Sequence, residues 1–216
     1  MMKIILASKS PRRHQLLNKL LIDIDYPVKD FEIIIPNIDE SSLPNEAPRD
    51  CAVRLAKEKA LSIKHDCTIA RSARSNDSTL IITADTIVVL NGKIYGKPTD
   101  EQDAISMLEE LSGKTHKVIT GYCLLNSSID PSTQRPSDPI HDSASSLVTF
   151  RNLQKSEIES FVASGIPMDK AGAYAVQEDT HKFIDKIEGS YTNVMGFPTE
   201  KIGKLLVMNT NKDQLT

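Results

Sequence analysis

The sequence predicts an α/β protein with a mixed, twisted sheet and flanking helices. Three observations carry this. Short apolar runs that read as strands alternate with amphipathic stretches that read as helices. The pair Asn91-Gly92, between the apolar run 80–90 and Lys93-Ile94-Tyr95, is a tight-turn signal, so at least one hairpin joins the sheet and it is not purely parallel. The chain has 216 residues, 39% hydrophobic and 25% charged, enough for one large core or two small ones.

The elements follow in order. Ile4-Ile5-Leu6-Ala7 is a short buried strand. Ser10 then stands as a helix N-cap, Pro11 suits the first helical position, and Leu16, Leu17, Leu20 and Leu21 form an apolar helix face. Phe31 to Ile35 is a strand, followed by the acidic loop Asp39-Glu40-Ser41-Ser42. Residues 48–64 read as a helix with Ala52, Leu55, Ala56 and Ile63 on one side. Residues 80–90 are the strongest strand. Residues 100–112 form an amphipathic helix closed by Gly113. Residues 116–125 are a strand, and Val148-Thr149-Phe150 resumes one. Ser156-Glu157-Ile158-Glu159 reads as a capping box opening a helix that ends near Gly165. Residues 182–187 are a strand, Glu188-Gly189 a turn, and a last helix runs from about Thr199 to Met208. Two polar stretches, at about 65–79 and 126–145, have the composition of surface insertions.

Composition excludes several classes. No apolar run approaches the roughly 20 residues of a membrane span, and the first residues lack the pattern of a secretory signal, so a cytoplasmic protein without a membrane partner is expected. Three separated cysteines, Cys51, Cys67 and Cys123, argue against a disulfide framework, and neither they nor the five histidines have zinc-ligand spacing. A metal here is expected to be a hard, oxygen-bound cation such as magnesium. The net charge of −3 and the absence of tryptophan leave little basis for binding a nucleic-acid polymer, so cations for a polyphosphate must be gathered locally.

Ser8-Lys9-Ser10-Pro11-Arg12-Arg13 does gather them, placing two guanidinium groups on the first turn of a helix whose N-terminus already favours anions. Asp85 lies inside the apolar strand Ile81-Ile82-Thr83-Ala84-Asp85-Thr86-Ile87. A carboxylate is costly to bury unless it is paired or bound to metal, so Asp85 is either an acid at a strand end facing solvent or a general base or metal ligand at a sheet edge. Lys59 and Lys97 could add positive charge, although an isolated lysine is usually a solvated side chain.

Taken together these segments resemble the Maf family of nucleotide pyrophosphatases. The resemblance rests on residues 6–13, Arg54-Leu55-Ala56-Lys57-Glu58-Lys59-Ala60, Ala84-Asp85-Thr86 with Gly96-Lys97-Pro98, Leu111-Ser112-Gly113, Asp169-Lys170-Ala171-Gly172-Ala173-Tyr174 and residues 187–198. It runs in order from the first strand to the last helix. It implies an elongated, two-lobed fold related to the inosine-triphosphate pyrophosphatases, one Maf-like domain over residues 1–216, and often a homodimer. It also implies hydrolysis of a nucleoside triphosphate to the monophosphate and pyrophosphate, aided by Mg2+ or Mn2+.

By position, Asp85 matches the acid that accepts the proton of the attacking water. Ser8, Arg12, Arg13, Lys59 and Lys97 match polyphosphate-binding positions, Lys170 is a further expected substrate-binding residue, and Glu40 matches an acid near metal and phosphates, so Glu40 and Asp85 are the expected metal-side carboxylates. Arg12, Thr86 and Gln177 match positions linked to base selectivity. The Ala84-Asp85-Thr86 form with Gln177 looks like the branch acting on dTTP and UTP, whereas the 7-methyl-GTP branch usually has Ser-Asp-Gln here. Glu178 follows Gln177 where the family commonly has glycine, which adds negative charge beside the base pocket. Two other readings are an enzyme for modified purine nucleotides and a nucleotide-binding regulatory protein without turnover. The acid with its cation set points to catalysis, because a binding module has no need of the acid.

Overall fold

The strand order of the main sheet is β2-β1-β3-β5-β8-β9, with β4 paired to β3 as the seventh strand. A computed structural model describes residues 2–64, 79–126, 129–130, 135–136, 138–176 and 182–213. The elements are β1 (Lys3–Ala7), α1 (Pro11–Asp23), β2 (Phe31–Ile34), α2 (Pro48–Lys64), β3 (Thr79–Leu90), β4 (Lys93–Tyr95), α3 (Glu101–Leu111), β5 (Thr115–Asn126), β6 (Ile129–Asp130), β7 (Arg135–Pro136), β8 (Ile140–Phe150), α4 (Lys155–Ala163), β9 (Ile184–Glu188), α5 (Tyr191–Val194) and α6 (Thr199–Asp213). β1 runs parallel to β2 and β3, and the other pairings are antiparallel. The sheet is therefore mixed, with helices on both faces, as the sequence predicts.

The two faces of β3 explain its near-continuous apolar sequence. Successive side chains point to opposite faces. Ile81 packs with Ile5, Cys123 and Leu125 against Ala56, Ala60 and Ile63 of α2. Leu80, Ile82 and Val88 join the larger core, together with Leu17 and Leu21 of α1, Leu108 of α3, Ile158 of α4 and Ile202 and Leu206 of α6. α2 approaches very closely. A Cβ at Gly121 of β5 would lie 2.2 Å from the Ala52 carbonyl oxygen, so only glycine fits there. The Thr83 hydroxyl then donates to the Ala56 carbonyl at 2.6 Å, pinning helix to strand.

A gap along one edge of β3 positions the cleft. On the side of β3 away from β5, β1 pairs with residues 79–82 and β4 with residues 88–90. The stretch 83–87 between them has no strand partner on that side among the described residues. Asp85 sits in this gap.

Some boundaries differ from the sequence expectation. Residues 140–145, grouped with the second polar insertion, are the first half of β8 and pair with β5 from Ile119 to Leu124. Their Ser and Asp side chains are largely solvent-facing, and a strand held mainly by backbone pairing, with Arg49 on Asp142 at 2.7 Å, carries no apolar alternation to read. Short β6 and β7 pair between β5 and β8. The first insertion, apart from Thr79, lies outside the described residues. The α4 capping contact is also shifted: the N-cap is Gln154, whose N–H donates to the Glu157 carboxylate at 2.9 Å, rather than Ser156 with Glu159. Ser10 is the N-cap residue of α1 but makes no side-chain cap bond.

Candidate active site

A cleft of about 1090 Å³ opens at the gap in the sheet. Its lining includes Ser8, Arg12, Arg13, Glu40, Lys59, Asp85, Thr86, Lys97 and Lys170, so nine of the ten residues singled out from the sequence converge. The tenth, Gln177, lies outside the described residues, directly after Val176, which does line the cleft.

The centre is an ion-paired chain. Asp85 and Lys59 are 8% and 5% exposed. Lys59 lies three residues beyond Ala56 on α2, and Asp85 two residues beyond Thr83 on the same strand face, so the Thr83–Ala56 bond sets the two side chains opposite each other. Lys59 Nζ donates to Asp85 Oδ1 at 2.5 Å and also reaches Glu40 Oε1 at 2.7 Å. Lys97, on the turn after β4, donates to Glu40 Oε2 at 2.5 Å. Burial pushes the Glu40 carboxyl up, but the bonds from Lys59 and Lys97 outweigh it and hold the group at about 2.

Glu40 stands on a loop, and α2 fixes that loop. Arg54 grips Glu46 with a two-pronged contact, Nε to Oε1 at 2.6 Å and Nη2 to Oε2 at 2.8 Å, and donates to the Ser41 carbonyl at 3.0 Å. The hydrogen bonds from Arg54 hold the Glu46 carboxyl at about 2. Planar fork-to-carboxylate pairing is the geometry arginine is built for.

The N-terminal wall comes from β1 and α1. The Ser8 hydroxyl accepts from the Ser10 N–H at 3.1 Å, and His14 Nε2–H donates to the Ser8 carbonyl at 2.8 Å. Arg13 differs from a simple phosphate cation, because its Nε donates to the Gly196 carbonyl at 2.9 Å and its Nη2 to Thr86 Oγ1 at 3.1 Å. Burial lowers its pKa and Asp85 raises it. Lys170 is buried, donating to the Ile166 carbonyl at 2.6 Å and to Asp169 at 2.7 Å. Gly172 N–H bonds the Gly96 carbonyl at 2.9 Å, which joins the Lys170 turn to the Lys97 turn.

Across the sheet, on the face opposite Asp85, the cleft wall is apolar: Val88, Val118, Tyr174, Val176, Val194 and Met195. Thr86 is a partly exposed polar group in that wall, beside Arg13. One end of the cleft is thus charged and the other suits a flat, apolar ring.

Comparison with known proteins agrees with this architecture. The sequence model of the family described as Maf-like protein matches residues 3–208. The chain belongs to the Maf family. Among its relatives, a Clostridium perfringens protein (strain SM101 / Type A) named dTTP/UTP pyrophosphatase is 41% identical over 206 residues, 95% of this chain and 96% of the relative. Proteins of the same name from Geobacter metallireducens and Aquifex aeolicus are 43% and 42% identical, over 91% and 95% of this chain and 90% and 94% of theirs. The Maf resemblance read from the motifs therefore holds over nearly the whole chain.

Two groups of side chains that contact the candidate site residues escaped the sequence reading. Arg54 was visible only as part of a motif, and its grip on the Glu40 loop depends on Glu46, eight residues away. Thr120 and Asn193, fully buried behind Thr86, were not singled out. The signal for Thr120 was a lone hydroxyl in the apolar strand Val118-Ile119-Thr120-Gly121. Among the described residues no three His, Cys, Asp or Glu side chains converge to hold a metal, and no helix is long and apolar enough to cross a membrane.

Proposed function

We propose that this Maf protein is a nucleoside triphosphate pyrophosphatase that hydrolyses dTTP and UTP to the monophosphate and pyrophosphate. The observation that carries the reading is Lys59 held between Asp85 and Glu40 in the charged half of the cleft. A protein that only bound nucleotide would weaken its own affinity by placing two carboxylates among the phosphates. The relatives' shared name supports the substrate pair, and the reading takes residues 1–216 as one domain, in keeping with the match over residues 3–208.

The triphosphate lies along Ser8, Arg12, Lys59, Lys97 and Lys170, with the base toward Thr86, Tyr174 and the segment containing Gln177. Arg13 braces the wall between them. A water attacks the α-phosphorus and gives its proton to Asp85. The bond from the α-phosphorus to the bridging oxygen breaks, and its electron pair leaves with pyrophosphate, whose charge the lysines stabilise.

The donor set also fits a divalent cation. Glu40 and Asp85 both reach the ammonium of Lys59, so their oxygens are neighbours, and magnesium is commonly held by one or two carboxylates plus substrate phosphates and water. Two protein ligands suit a cation that arrives with the triphosphate. When bound, it supplies charge neutralisation on the phosphate oxygens. Cys51 and Cys123 are buried free thiols, in keeping with a reducing cytoplasmic setting. A homodimer enters by the family resemblance alone, and sedimentation tests it.

The decisive experiment incubates the protein with UTP, dTTP, CTP, ATP, GTP and 7-methyl-GTP, with and without Mg2+ or Mn2+, and identifies the products. UTP and dTTP should lead, pyrophosphate should be released, and chelation should abolish turnover. Orthophosphate with nucleoside diphosphate as first products contradicts the reading.

A further inference from the structure

Behind Thr86 runs a chain of hydroxyls whose direction can be read atom by atom. Arg13 Nη2 donates to Thr86 Oγ1 at 3.1 Å. Thr86 Oγ1 and Thr120 Oγ1 are 3.0 Å apart. Thr120 Oγ1 lies 3.0 Å from the carbonyl oxygen of Asn193, which can only accept. Thr120 and Asn193 are fully buried, so no solvent competes for these groups.

A hydroxyl has one proton to give. If Thr120 gives its proton to the Asn193 carbonyl, then its contact with Thr86 is a hydrogen bond only when Thr86 is the donor. The chain then reads Arg13 to Thr86 to Thr120 to Asn193, and every proton in it has a protein acceptor. The reverse arrangement, Thr120 donating to Thr86, leaves the Thr86 proton without an acceptor in the chain. The Asn193 carbonyl also takes the Gly196 N–H, at 2.9 Å, so it acts as an acceptor at the end of the chain. Chains with every donor paired are favoured in a low-dielectric interior.

We infer that Thr120 is a positioning residue for base selection: it draws the Thr86 proton inward, so Thr86 offers the cleft only an oxygen lone pair and accepts from an N–H of the base. This rests on the dTTP/UTP reading above. The only N–H on the pairing edge of uracil or thymine is N3–H. Cytosine carries a bare acceptor at the same place and meets Thr86 lone pair to lone pair. The selectivity of the partly exposed Thr86 is therefore set by a residue that never touches substrate.

The test is kcat/KM for UTP and for CTP in the wild type, Thr120→Val and Thr120→Ser. Valine keeps the shape but removes the inward acceptor, so the Thr86 proton turns to the cleft. The UTP-to-CTP ratio should fall about tenfold, the scale of one hydrogen bond, with kcat/KM for CTP rising in absolute terms. Serine restores the acceptor and should keep the wild-type ratio. A purely structural role for Thr120 would lower both substrates together and leave the ratio where it was; that result overturns the inference. A wild type that does not prefer UTP overturns the substrate reading instead. If the valine variant does not fold, the wild type is compared on UTP and N3-methyl-UTP. A drop of tenfold or more is expected, and equal turnover overturns the inference.

Discussion

Lys59 Nζ lies 2.5 Å from Asp85 Oδ1, with both side chains inside the protein and Glu40 on the same ammonium. Taking one partner from a buried pair leaves the other charge uncompensated, which costs about 3 kcal/mol or more. Lys59→Met should therefore lower unfolding stability by about 3 kcal/mol. The double variant Lys59→Met, Asp85→Asn should recover a good part of that loss, because the stranded charge is gone. Urea unfolding of Lys59→Met, Asp85→Asn and the double variant measures the coupling. Additive losses would mean the pair is not formed in solution.

Helix α2 reaches this position only because Gly121 lets it. Gly121→Ala puts a Cβ within 2.2 Å of the Ala52 carbonyl and 2.6 Å of the Val53 nitrogen, and backbone cannot step aside as a flexible side chain can. Overpacking of this kind costs about 1–3 kcal/mol. The variant should lose stability by that amount and also lose turnover, because the displaced helix carries Lys59. Thermal melts and kcat together check both halves.

Arg54→Lys should separate affinity from stability. Lysine keeps the charge but cannot make the fork to Glu46 while also holding the Ser41 carbonyl, so Glu40 loses its fixed loop. Near-normal melting with roughly tenfold lower kcat/KM is expected, on the scale of one charge-assisted bond. Unchanged kinetics would show that the loop holds its place without Arg54.

His116 gives the fold a pH dependence. It is buried, with Nε2 2.7 Å from the Tyr174 hydroxyl and Nδ1 without a partner among the described residues, and burial lowers its pKa to about 4. An unfolded histidine titrates near 6.5, so between these values the unfolded state binds the extra proton. Stability due to His116 is complete above about pH 6.5 and is lost as pH falls toward 4, by up to about 3 kcal/mol. Wild type minus His116→Gln, by urea unfolding from pH 4.5 to 7.5, should show this slope. A difference independent of pH would contradict it.

The legible parts of the molecule were those where one chemistry dominates a segment. The apolar run of β3, the Asn91-Gly92 turn and the leucines of α1 each declare their element, and the structure places α2 and β4 where the sequence does. Asp85 was legible because a carboxylate in an apolar strand is conspicuous. What the sequence hid depends on partners distant along the chain. The first half of β8 is held by backbone bonds to β5, which no side-chain pattern reports. The Arg54 grip needs Glu46, and the inward turn of the Thr86 proton needs Thr120 and the Asn193 carbonyl, 34 residues and more away.

The most direct test of the proposed chemistry is Asp85→Asn, which keeps size and removes the proton acceptor and the negative charge. Turnover of UTP is measured beside calorimetric binding of a nonhydrolysable UTP analogue, at ordinary Mg2+ concentration. The account predicts a folded protein whose kcat falls by about 10²–10⁴-fold, while the analogue binds as well as before or more tightly because a carboxylate no longer faces the phosphates. A folded Asp85→Asn variant that turns over UTP at near the wild-type rate would contradict it.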